Sequence, residues 1–81
     1  MPSEDVSPDK VLDATNLSCP IPLMKTLKTI RGMRKGEVLE VRSTDPGSKV
    51  DIPRWGEKAG YKVLKISEEE GVFKIFIEKG D

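Results

Sequence analysis

The sequence predicts an α+β domain, a two-layer α/β sandwich of order β-α-β-α-β-β with two helices on one face of a four-stranded sheet. Three observations carry this reading. Four short segments alternate apolar and polar residues, as half-buried strands do. The stretch after Pro20 places Leu23, Met24, Leu27 and Ile30 at i, i+1, i+4 and i+7, a helical spacing. With 81 residues, two helices must serve four strands, so they cover one sheet face and leave the other open.

Taken in order, residues 1–9 are polar, with Pro2 and Pro8, and read as a flexible N-terminal arm. Residues 10–81 form a single domain. Lys10–Ala14 is the first strand, and Asn16 in the following loop suits a left-handed position. Pro20 and Pro22 fall in the first turn of a helix, where a missing N–H is tolerated. Gly32 and Gly36 bracket its end. Glu37–Ser43 alternates as a strand, with Leu39 and Val41 on one face and Glu40 and Arg42 on the other.

The second helix has two candidate starts. Asp51 can cap a helix with Ile52, Trp55 and Ala59 on its buried side, or a kinked helix can begin at Pro46. Gly60 stops it either way. Tyr61–Glu68 is the third strand, with Leu64 and Ile66 facing in. Glu69, Glu70 and Gly71 make a hairpin turn. Val72–Lys79 is the fourth, with Phe73, Ile75 and Ile77 on one face and Phe76 on the other. Phe76 and Val72 read as scattered exposure on an open face of Lys, Glu and Arg, with a contact patch as the less favoured reading.

Composition narrows the chemistry. A chain this short buries only about 60–65% of its unfolded surface, which leaves no room for a deep substrate cavity. Net charge is zero, so overall charge gives no argument for nucleic-acid binding. Its distribution is uneven: Lys25, Lys28, Arg31, Arg34 and Lys35 lie between Pro20 and Gly36 with no acid among them. Acids collect at the amino terminus and at Glu68, Glu69 and Glu70, so a dipolar molecule with its basic side near Cys19 is expected. One cysteine and no histidine exclude an internal disulfide, a cysteine zinc site and a Cys–His pair. No metal and no organic cofactor is expected. With no signal peptide and no long apolar run, a cytoplasmic protein free of the membrane is the expectation. A monomer is expected as well, although nothing in the sequence fixes the oligomeric state.

Cys19 is the candidate nucleophile. It stands just before the predicted helix, where N–H groups and the macrodipole favour a thiolate. Pro20 and Pro22 fix the backbone and remove two donors, leaving chiefly the Ile21 and Leu23 amides. A thiolate stabilised in this way but not fully hydrogen-bonded stays nucleophilic. The plainer reading of a lone cysteine is a small buried apolar residue.

The run from Leu12 to Leu23, with Cys19-Pro20-Ile21-Pro22 at its centre, resembles the Cys-Pro-x-Pro signature of the TusA/SirA-like family of sulfur-carrier proteins. Arg31–Glu37, Asp45-Pro46 and Asp51–Trp55 extend the resemblance over nearly the whole chain from Val11. It implies a mixed sheet of order 1-2-4-3 with the fourth strand antiparallel to the rest. It implies that Cys19 takes sulfane sulfur as a persulfide from a cysteine desulfurase or a rhodanese-like donor, then passes it to a downstream acceptor protein. Pro20 and Pro22 carry over as structural residues and Asp13 as a loop-bracing acceptor. Asp45 falls on the rim near the second helix, where a plain cap is the simpler role. Lys25, Lys28 and Arg31 would steer an acidic partner.

Asn16 replaces the family's glycine, Ser18 a basic residue of some members, and Ile21 an acid of the tRNA-thiolating branch. These departures weigh against tRNA thiolation and set molybdenum-cofactor assembly or a sulfur-oxidation relay beside it, with the sequence leaving all three open. The alternative is an RNA-binding or regulatory adaptor module with an inert thiol. Zero net charge and 5% aromatic residues, with no stacking platform, weigh against RNA.

Overall fold

The computed structural model of the chain describes residues 8–18 and 21–80. Six elements follow one another: β1 (Lys10–Ala14), α1 (Ile21–Arg31), β2 (Val38–Ser43), α2 (Pro46–Lys58), β3 (Lys62–Glu69) and β4 (Val72–Glu78). The sheet order is β1-β2-β4-β3. β1 and β2 run parallel, joined by α1 as a parallel crossover requires, and β4 is antiparallel to both neighbours. Most of the predicted N-terminal arm, residues 1–7, lies outside the described residues. Asp9, also assigned to that arm, donates its N–H to the Val38 carbonyl and accepts the Val38 N–H on its carboxylate. The tie to β2 thus begins one residue before the expected boundary.

The core lies between the helices and one sheet face: Ile30, Met33 and Ile52 pack with Leu39, Val41, Ile75 and Ile77. α1 buries only part of the stripe its apolar spacing suggested, and buries Pro22 and Thr26 with it. Pro22, Thr26 and Ile30 are buried, Leu23 and Leu27 are half-buried, and Met24 is 60% exposed. These three lie four residues apart on one helix face. Thr26 tolerates burial because its hydroxyl donates to the Pro22 carbonyl at 2.8 Å.

Of the two starts left open for α2, the helix takes Pro46. Asp45 is the extended residue before it and Pro46 sits in the first turn. Pro53 lies inside the helix, where it cannot donate to the carbonyl four residues back. Tertiary packing of the buried Ser48, Ile52 and Gly56 holds both segments on the sheet. Gly60, with φ +90°, provides the left-handed residue that ends the turn.

β3 departs from its predicted pattern. A register shift between Val63 and Lys65 makes Leu64 an extra residue. Val63 opposite Ile77 and Ile66 opposite Ile75 therefore share the helix-covered face. Leu64 and Ile66 are nevertheless 37% and 42% exposed, since β3 is an outer strand with one flank uncovered. Val63 is the β3 residue packed on the core. The hairpin closes through Glu70 and Gly71, both at positive φ, the pattern of a two-residue type I′ turn.

The open face carries Asp13, Glu40, Arg42, Lys65, Glu69, Lys74 and Glu78, as expected of a solvated layer. Phe76 is not scattered exposure, however. It is 8% exposed, flanked in register by Glu40 and Lys65, whose aliphatic stems offer cover. Glu40 is itself buried and accepts a hydrogen bond from the Arg42 guanidinium. Among the described residues no helix is long and apolar enough to cross a membrane.

Candidate functional site

Cys19 and Pro20 lie outside the described residues. The segments that bracket them are described in detail. β1 ends at Ala14, which is fully buried. The preceding Asp13 turns its carboxylate onto the loop, accepting the Thr15 N–H at 3.0 Å and the Thr15 hydroxyl at 2.6 Å. The hydroxyl bond, followed by the N–H bond, holds the Asp13 carboxyl below its ordinary pKa. Asn16 then takes a left-handed conformation at φ 65°, which its side chain tolerates better than most.

The Asn16 N–H donates to the Thr44 hydroxyl at 2.8 Å. That bond pins the β1–α1 connection to the β2–α2 connection. Thr44 is a residue that sequence reasoning missed, because nothing local marks two loops 28 residues apart as neighbours. Asp45 follows directly: its N–H donates to the Ser43 hydroxyl, and its carboxylate accepts from the Ser48 hydroxyl at 3.4 Å. Asp45 thus opens α2 beside the pinned loop.

On the helical side, the Ile21 N–H donates to the Ser18 carbonyl at 2.9 Å. Of the two first-turn amides expected to remain open for Cys19, Ile21 is therefore already engaged. Pro22 does more than occupy a tolerated position: it is buried and accepts the Thr26 hydroxyl, so the start of α1 is fixed against the sheet.

Lys25, Lys28 and Arg31 are all exposed along α1, and the helix contains no acid. Met24, Leu27, Lys28 and Arg31 line a shallow groove of about 340 Å³. Ile21 is 44% exposed at the amino-terminal end of the same helix. The outward side of α1 therefore combines apolar atoms with positive charge.

Glu69 and Glu70 of the hairpin line a hollow with Asp13, Thr15, Arg42 and Lys74, at the sheet end where β1 enters its loop. β3 runs parallel to β1 and delivers its carboxyl end to the same side, so these acids share a mixed-charge sheet face with Arg42 and Lys74 while α1 is purely basic. Much of that hollow is internally paired, through Lys74 to Glu69 at 3.0 Å and Arg42 to Glu40. Among the described residues, no three His, Cys, Asp or Glu side chains gather as a metal site would require.

The loop clasp yields a direct expectation. Thr44→Val removes the acceptor of the Asn16 N–H and costs about 1 kcal/mol locally. Hydrogen exchange at the Asn16 amide should accelerate roughly fivefold, while Thr44→Ser keeps the wild-type rate. Equal rates in all three proteins would mean the bond does not hold the loop.

The chain as a whole is similar to known proteins over most of its length. Residues 10–79 match the family model described as Sulfurtransferase TusA. YrkI of Bacillus subtilis is 40% identical over 72 residues, covering 89% of this chain and 96% of that protein. The sulfur carrier protein TusA of Allochromatium vinosum is 39% identical over 71 residues, covering 88% and 93%. The crystal structure of a SirA-like protein from Desulfitobacterium hafniense superposes with a TM-score of 0.78 at 26% identity, covering 89% of this chain and 99% of that one. With the matched segment running from β1 to one residue past β4, the chain belongs to the TusA/SirA-like family of sulfur-carrier proteins.

Proposed function

We propose that this chain is a sulfur-relay protein, a sulfurtransferase that carries sulfane sulfur as a persulfide on Cys19. The observation that carries this reading is positional. The chain's only cysteine opens a Cys-Pro-x-Pro run two residues before α1, inside a family match that spans both layers of the fold. The Cys19 thiolate attacks the outer sulfur of a donor persulfide, on a cysteine desulfurase or a rhodanese-like protein, and the donor thiolate leaves. An acceptor thiolate later attacks the outer sulfur of the Cys19 persulfide and Cys19 leaves as thiolate. Each step exchanges one S–S bond for another, so no external oxidant or reductant is needed.

With no histidine and no second cysteine, the chain cannot discharge its own persulfide. Release waits for a partner. Asp13 acts as a brace of the loop, Pro20 and Pro22 set the helix entry, and Asp45 forms part of the rim. Lys25, Lys28 and Arg31, beside exposed Met24, dock partners whose contact surface is acidic with an apolar centre. The apolar Ile21, where the tRNA-thiolating branch has an acid, favours molybdenum-cofactor assembly or a sulfur-oxidation relay as the destination. The relay works in the cytoplasm.

Intact mass after incubation with a cysteine desulfurase and cysteine tests the proposal. The expected gain is one sulfur, about 32 Da, reversed by reductant and absent in Cys19→Ala. No gain with either a desulfurase or a rhodanese-like donor would overturn it.

A further inference from the structure

We propose that the free edge of β3 pairs antiparallel with the same edge of a second copy of this chain. Among the described residues β3 is the longest strand, and it is hydrogen-bonded to the sheet only through β4. Its outer flank shows a row of backbone donors and acceptors together with Leu64 and Ile66, 37% and 42% exposed. Proteins commonly blunt such an edge with like charges, which repel a copy of themselves, or with a bulge. Here the register shift is confined to the stretch between Val63 and Lys65, and pairing runs without further shifts from Lys65 to Glu69.

The charges point to the occupant. Lys62 and Lys65 lie in the amino-terminal half of the strand, Glu68 and Glu69 in the carboxy-terminal half. A parallel copy would set like against like. An antiparallel copy sets opposite signs together.

Side-chain alternation selects the register. Lys65, Ser67 and Glu69 share the open face through their partners Phe76, Lys74 and Val72. A two-fold axis through Ser67 places Lys65 of each chain opposite Glu69 of the other, which also holds Lys74 of its own chain at 3.0 Å. It also brings the two Ile66 side chains into diagonal reach on the helix face. The pairing extends the sheet to eight strands. α1 contacts β1 and β2, on the far side of β4, so its docking face stays uncovered in such a dimer. The proposal is independent of the sulfur chemistry, and it departs from the expected monomer.

Sedimentation of the full chain tests it. The mass should rise from 9.0 kDa towards twice that value as protein concentration approaches about 1 mM, and fall back at about 0.5 M salt. Lys65→Glu and Glu69→Lys should each weaken self-association at least about tenfold, since each sets like charges opposite one another. Mixed in equal amounts, the two variants should associate again, because every facing pair then has opposite signs. Recovery on mixing also shows that both variants fold. A monomeric wild type at about 1 mM, single variants that associate like wild type, or a mixture that stays monomeric would each overturn the proposal.

Discussion

Ile75→Ala is expected to lower the melting temperature by roughly 15–30 °C, the largest stability loss of any single substitution considered for this fold. Ile75 is fully buried in β4, opposite Val41 of β2 and Ile66 of β3. Truncating such a residue removes its transfer energy and leaves a cavity, together about 3–4 kcal/mol. A domain of this length has roughly 4–12 kcal/mol in all. Ile66→Ala is the control. Ile66 faces Ile75 across the ladder but is 42% exposed, so its truncation should cost below about 1 kcal/mol in dilute protein. Thermal unfolding of both variants checks this. Equal losses would mean that the β3 edge is as deeply packed as β4.

The same contrast explains which parts of the structure were legible in the sequence. β1, β2 and β4 read correctly because each alternates against a covered face. Leu39 and Val41, or Ile75 and Ile77, cannot change sides without exposing the whole set. β3 failed at one residue: an extra position at Leu64 reverses the parity that alternation assumes. α1 was placed correctly but rotated. Pro22 and Thr26 carry no hydrophobic signal, and Thr26 becomes a core residue only through its bond to the Pro22 carbonyl. For α2, Pro53 argued as strongly for a helix start as for an interior kink, and only contacts with the sheet decide. At the site, the Asn16 conformation and the positions of Lys25, Lys28 and Arg31 follow from local chemistry. Thr44 does not, because its role depends on parallel strands bringing two loops to one end of the sheet. The neighbourhood of the hairpin acids was illegible for the same reason: strand direction, not sequence distance, puts Glu69 and Glu70 beside Asp13.

Reversing two charges on α1, Lys28→Glu with Arg31→Glu, is expected to slow sulfur transfer from a donor about 10–100-fold at low salt. Both side chains are exposed and line the groove with Met24 and Leu27. If α1 is where partners dock, its positive field acts before contact, on the rate of encounter. Chemistry at the thiol should then be little changed, so KM should rise while kcat holds. Raising salt shortens the Debye length to a few ångströms and should bring wild type and variant together, chiefly by slowing wild type. The variant also loses two cations from the last turn of α1, each worth about 0.3–1 kcal/mol against the helix dipole. Circular dichroism at the assay temperature must therefore show it folded. Lys62→Glu, on the outer strand β3, changes charge in the same sense without touching α1, and it should leave KM near wild type. An unchanged KM in the double variant, or an equal rise in both proteins, would move the docking site off this helix. A fall in kcat alone would mean that the cations act on the sulfur atom and not on the approach of the partner.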